Sequence, residues 1–194
     1  MASFPSRPPG ASVQARRVAS QRPFPQGGFT LLESLIVVTL VALVVAIALP
    51  SWLGFLDQRR VNMTQSMLYQ ALRRTQWDAS QLRQPQRFSL RERNGRLEWA
   101  SHPDSIAAVR VTQWIPLIEG VGLAGEDNTL LQSGGIYYVR FDHKGNVRSQ
   151  LGRITVVGAG GRRSHRCVVV STLLGAMRQG QGQARPNSDG RHCY

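Results

Sequence analysis

The sequence predicts an α+β chain: one long N-terminal helix packed on an antiparallel β-sheet head. Three observations carry this. Residues 29–49 form an apolar run broken by a single charge, Glu33. Beyond Pro50 the apolar residues recur at helical spacing as far as about Leu82. From residue 85 onward they come in short β-branched and aromatic runs, separated by Gly, Asn and Asp.

Residues 1–28 are rich in Pro, Ser and Arg and carry Arg7, Arg16, Arg17 and Arg22 without an acid. They have no apolar periodicity, which predicts a disordered leader. The run Phe29–Leu49 has 21 residues. As a helix it spans about 31 Å at 1.5 Å per residue, the thickness of a bilayer's hydrocarbon core, about 30 Å. The leader arginines predict a cytoplasmic N-terminal side, with everything after Pro50 on the far side. An ordinary secretory signal has its small-residue site after the apolar run. Ala46 and Ala48 could mimic one, but Gly27-Gly28 stand before the run, and the run is long for a signal.

Residues 50–84 predict an amphipathic continuation, kinked rather than ended at Pro50. Leu53, Leu56, Met63, Met67, Ala71 and Thr75 fall along one face, with Leu68 and Leu72 beside it. Asp57, Arg59, Arg60, Arg73 and Arg74 fall elsewhere, and Gln84-Pro85 supplies the stop.

Residues 85–178 predict the head. Asn94-Gly95 between 87–93 and 96–100 is a strong hairpin signal. A further strand is expected over Val109–Val111 and Trp114-Ile115, then a loop from Gly120 to Gly135. Ile136–Phe141, a turn over 142–146 and Val147–Ser149 predict a second hairpin. Ile154–Val157 and Arg166–Ser171 predict a third around Gly158–Gly161. Residues 179–194 read as a basic, flexible tail.

The formal charge is +13 and is unevenly placed. Residues 140–194 hold nine Arg and Lys144 against Asp142 and Asp189. Such a surface favours anionic partners, nucleic acid or lipid headgroups; it equally fits arginines that only solvate the surface. The two cysteines, Cys167 and Cys193, would be free thiols in a cytosol and can pair in a periplasm.

No catalytic constellation stands out, and neither an enzyme nor a cofactor is expected. His102, His143, His165 and His192 are scattered. His165 with Cys167, and His192 beside Cys193, are weak metal candidates next to disulfide pairing, so no metal site is expected. Gly158–Gly161 has the glycine content of a phosphate loop but no following helix.

Gly28-Phe29-Thr30-Leu31-Leu32-Glu33 followed by the apolar run resembles the type IV prepilin signal. The resemblance implies cleavage between Gly28 and Phe29 by a prepilin peptidase and N-methylation of the new Phe29 amine. It also implies a pilin-like fold and a single-pass place in a bacterial inner membrane, with the head periplasmic. After assembly the apolar helix lies in the core of a fibre of pilins or pseudopilins. A carboxylate at membrane depth costs about 2.5–3.5 kcal/mol on insertion scales. The expected partner of Glu33 is the Phe29 amine of a neighbouring subunit; the alternative is a carboxylate snorkelling to the headgroups.

Further along, Ile136 to Gly145 resembles the strand–turn F-x-x-x-G of the GspH/FimT family, and Cys167–Ser171 with Gly175 resembles that family's last strand and turn. The resemblance implies a minor pilin or pseudopilin of a type II secretion system or a type IV pilus, near the fibre tip. Its partners would be other pilins, the inner-membrane assembly platform and membrane lipid. Some members bind DNA through a C-terminal Gly-Arg-x-Arg. Here the matching stretch is Gly175-Ala176-Met177-Arg178, with Ala176 in place of the first Arg. Arg162, Arg163, Arg166 and Arg178 are the candidate DNA-binding residues. Glu126-Asp127-Asn128 could offer calcium ligands as acidic loops do in related pseudopilins, but three oxygen-bearing residues are few for that ion.

Overall fold

The computed structural model describes residues 28–159, 164–188 and 190–194, with Glu126 by its backbone alone. The chain divides into two compact units, Met1–Leu43 and Val44–Tyr194. One helix, α1 (Leu31–Leu82), runs through the described part of both. Pro50 lies inside it and the helix continues beyond. The end is built as a Schellman turn. Arg83 takes φ 51°, and the Gln84 N–H donates to Ala79 O at 3.3 Å. Pro85 then blocks continuation.

Among the described residues, nine strands form two antiparallel sheets. The first has β1 (Gln86–Arg93), β2 (Arg96–Pro103), β3 (Ile115–Pro116), β5 (Leu131–Ser133) and β6 (Ile136–Phe141), in the order β3-β2-β1-β6-β5. The second has β4 (Gly122–Leu123), β7 (Gly152–Val157), β8 (Arg166–Val170) and β9 (Met177–Gln181), in the order β4-β7-β8-β9. Phe88, Leu90, Leu97, Val139 and Phe141 of the first sheet share one buried cluster with Ile154, Val156, Val168 and Val170 of the second. Val61, Leu68 and Leu72 of α1 complete it.

The expected helix stripe is displaced. The buried line is Val61, Thr64, Gln65, Leu68, Ala71, Leu72, Thr75 and Ala79, whereas Leu53 is 64% and Met63 55% exposed. Polar residues can hold this line because each is satisfied. Thr64 and Thr75 donate to Arg60 O and Ala71 O at 2.9 Å. Gln65 donates to strand carbonyls, as described below.

The β1–β2 hairpin turns on Asn94 and Gly95, both at positive φ, as the dipeptide predicts. The β7–β8 hairpin also stands where expected; residues 160–163 of its turn lie outside the described residues. Elsewhere the head departs from expectation. Ala108–Arg110 is a 3-10 turn, not a strand, and β3 keeps only two residues. The Trp114 Nε1–H donates to Val111 O at 2.8 Å, and Arg91 lies over the indole, 3.9 Å from its centroid, which fixes this loop locally. The expected loop of 120–135 contains β4 and β5, the latter paired to β6 around Gly134-Gly135. Val147–Ser149 forms no strand: a single bridge joins Phe141 to Val147. Asp142 Oδ1 accepts the N–H groups of Lys144 and Asn146, each at 2.8 Å, and so winds the chain tightly there.

The expected flexible tail also begins too early, at 179. Met177–Gln181 pairs with β8 throughout, and Gly182 bridges to Cys193. Gln and Gly have weak strand propensity, but glycine is what this position admits. A Cβ at Gly180 would stand 2.9 Å from Cys167 Sγ and 3.0 Å from Tyr194 C.

Candidate processing and assembly site

Gly28 and Phe29 precede α1 in irregular backbone, and Phe29 is 79% exposed. An ideal Cβ at Gly28 would meet nothing within 4 Å. Thr30 starts the helix. Its Oγ1 accepts the Glu33 N–H at 3.1 Å, and its carbonyl accepts the Ser34 N–H at 3.1 Å. Thr30 is therefore the N-cap and Glu33 the third helical residue, the spacing of a capping box. An acidic side chain there also meets the positive end of the helix dipole.

Every residue from Leu31 to Leu49 is exposed among the described residues, and the most apolar stretch of α1 has a mean hydropathy of 2.7. Such a surface demands lipid or neighbouring helices. Glu33 is the one charge on it.

The head is fastened to α1 by side-chain hydrogen bonds at successive levels. The Asp57 carboxylate accepts the Ala159 N–H in the β7–β8 turn at 2.9 Å. Asn62 Oδ1 accepts Arg166 Nε–H at 2.7 Å. Gln65 Nε2 donates to Cys167 O at 2.8 Å and Gly180 O at 2.6 Å. Gln76 Nε2 donates to Gly145 O at 2.9 Å and Leu174 O at 3.3 Å. The two glycines singled out in the sequence, Gly145 and Gly175, thus belong to turns held by one glutamine. Both have positive φ, 81° and 79°. Sequence reading placed Asp57 off the apolar face and left Asn62, Gln65 and Gln76 unassigned. Gln65 and Gln76, uncharged polar residues within an amphipathic helix, were the available signal.

Of the candidate DNA-binding arginines, the two that are described, Arg166 and Arg178, do not share a patch. Arg162 and Arg163 lie outside the described residues. Arg166 is bound to Asn62 and, through Nη1–H, to His165 O at 2.8 Å; burial pushes its guanidinium below the usual value. Arg178 is exposed and pairs with Val169, three residues along β8 from Arg166. An odd separation puts Arg166 and Arg178 on opposite faces of the sheet. On the Arg178 face the structure brings in Arg153, also paired to Val169, which sequence reading missed. Its Nη1–H donates to Cys193 O.

Cys167 and Cys193 form a disulfide, Sγ–Sγ 2.15 Å and Cα–Cα 6.1 Å. The 126–128 loop is used structurally: Asn128 Oδ1 accepts the Thr155 N–H at 2.6 Å. Among the described residues no group of three or more His, Cys, Asp or Glu side chains is placed to hold a metal.

Residues 24–49 match the family model described as the prokaryotic N-terminal methylation motif. Neither a curated protein nor a solved structure matches the chain. The matched segment contains Gly28, Phe29, Glu33 and the whole apolar run. What the chain carries is therefore a type IV pilin-like prepilin signal joined to an α+β layout, and this supports the pilin and pseudopilin class.

Proposed function

We propose that this protein is a minor pilin or pseudopilin of the GspH/FimT type, serving a type II secretion system or a type IV pilus. Prepilin peptidase cleaves it between Gly28 and Phe29, and the Phe29 amine is methylated. The helix anchors the chain in the inner membrane with the head in the periplasm, then passes into the fibre near its tip. The role is structural rather than enzymatic. The observation that carries this reading is the exposed apolar run Leu31–Leu49 of α1, which directly follows Gly28, Phe29 and Thr30.

In the fibre the Glu33 carboxylate faces the Phe29 amine of a neighbour, which offsets the cost of a charge at membrane depth and sets the axial register. Glu33→Ala tests this cleanly. The cap uses the Glu33 backbone N–H, so the helix start survives the substitution. The mutant protein is expected to be cleaved, seen by the mass of its N-terminus, yet to be depleted at least about tenfold from sheared fibres, the effect of about 1.4 kcal/mol. Incorporation at the level of the unmodified protein would sink the pairing role.

A second reading, DNA capture during uptake, draws on the basic balance of residues 140–194. Its candidate surface in this reading is the face that carries Arg153 and Arg178, which pair with Val169 from either side. Arg153→Gln/Arg178→Gln should then weaken a salt-dependent gel shift of labelled duplex by the full-length protein. No shift at low salt removes this reading.

A further inference from the structure

We propose that the stretch of α1 just beyond the apolar run is a docking surface for anionic phospholipid headgroups, so that the head is seated on the outer leaflet before assembly. This rests on the membrane-anchor reading above and deepens it.

Trp52, Phe55, Leu56, Arg59 and Arg60 stand at i, i+3, i+4, i+7 and i+8, which makes one helical stripe. Trp52 is 61% and Phe55 53% exposed, their ring centroids 6.0 Å apart. The apolar run ends at Leu49, so Trp52 stands about 4–5 Å beyond it along the axis. Exposed aromatics at that depth form the belt at a membrane–water interface.

Arg59 and Arg60 are exposed, and among the described residues neither is in an ion pair. Helical side chains lean toward the helix N-terminus, which here is toward Leu49. Arg59 does so: its guanidinium lies over the Phe55 ring, 5.9 Å from the centroid. The nearby acids are turned elsewhere. Asp57 holds the β7–β8 turn through Ala159, and Glu119 pairs with Arg96. Two uncompensated arginines on the outer side of a span run against the usual bias of positive charge to the inside. Anionic headgroups supply the missing counter-charge.

The test uses the full chain in nanodiscs carrying brominated lipid at equal mole fraction, either phosphatidylglycerol or phosphatidylcholine, with tryptophan quenching as the readout. A basic residue at an anionic surface favours the anionic lipid by up to about fivefold. The expected result is at least about a twofold preference for the brominated phosphatidylglycerol. Arg59→Gln/Arg60→Gln should bring the ratio to about one, and Trp52→Phe should remove most of the quenching. Equal quenching by both lipids in the unmodified chain, or a preference that survives the arginine substitutions, overturns this surface alone. A chain that does not enter nanodiscs overturns the anchor as well. A ratio of one, together with a labelled duplex shift that the same two substitutions abolish, assigns the face to nucleic acid instead.

Discussion

Gln65→Leu isolates the bond that ties α1 to the second sheet. Gln65 is 7% exposed, and its amide donates to two backbone carbonyls, one on β8 and one on β9. Leucine has nearly the same bulk, so the cavity contribution is small. What is lost is two hydrogen bonds, with both acceptors left in a buried place. Leaving a buried polar group unsatisfied costs about 1–3 kcal/mol. Strand pairing still serves β8 and β9, which favours the lower part of that range, so the sum is about 2–4 kcal/mol. For a chain of this size that lowers Tm by about 4–16 °C. Thermal unfolding of the detergent-solubilised protein, followed by near-ultraviolet circular dichroism, gives the shift. Gln58→Leu is the control, because its bond to Asn62 is exposed and should be worth less than about 0.5 kcal/mol. A Gln65→Leu protein that melts with the Gln58→Leu protein would falsify the view that these bonds hold helix to sheet.

Three other perturbations have expected outcomes. Cys193→Ser opens a loop of 26 residues and should cost about 3–4 kcal/mol in the chain-entropy account, measured as a fall in the urea midpoint that dithiothreitol reproduces in the unmodified protein. Gly175→Ala puts a Cβ at φ 79° against Gln76 Nε2; it should cost about 1–3 kcal/mol, while Gly54→Ala, with open space around it, should be neutral or stabilising by up to about 1 kcal/mol. Acid should destabilise the head in two steps. Burial holds the His102 imidazole below its usual range, so the unfolded chain takes up its proton first, near pH 6.5, and stability falls as pH drops through that region. Burial opposes ionisation of Asp104, but Arg140 and Arg87 outweigh it and hold the carboxyl low; that contribution is present above about pH 4 and is lost as pH falls through the lower native value. Tm measured from pH 7.5 to pH 3 should show both steps, and His102→Gln should flatten the first alone.

The sequence was most legible where one signal needs no partner. The apolar run, the Asn94-Gly95 turn and the Gln84-Pro85 stop each act within a few residues, and each stands as read. Legibility failed where a distant segment decides the outcome. Gln65 looks like a surface residue until the carbonyls of Cys167 and Gly180 are there to receive it. β9 looks like a tail until β8 offers an edge and the disulfide covers Gly180. Arg166 and Arg178 are close in sequence, and only the strand register reveals that they face opposite ways.

The fastenings at Asp57, Asn62, Gln65 and Gln76 also have a mechanical consequence. They are spread over about 28 Å of helix and join it to the head at successive levels. A pull along the helix loads them together, in shear, whereas a pull at right angles would open them one at a time. A subunit drawn lengthwise out of a bilayer and then held lengthwise in a filament meets the first kind of force, so the joint is strongest along the axis on which its proposed work is done.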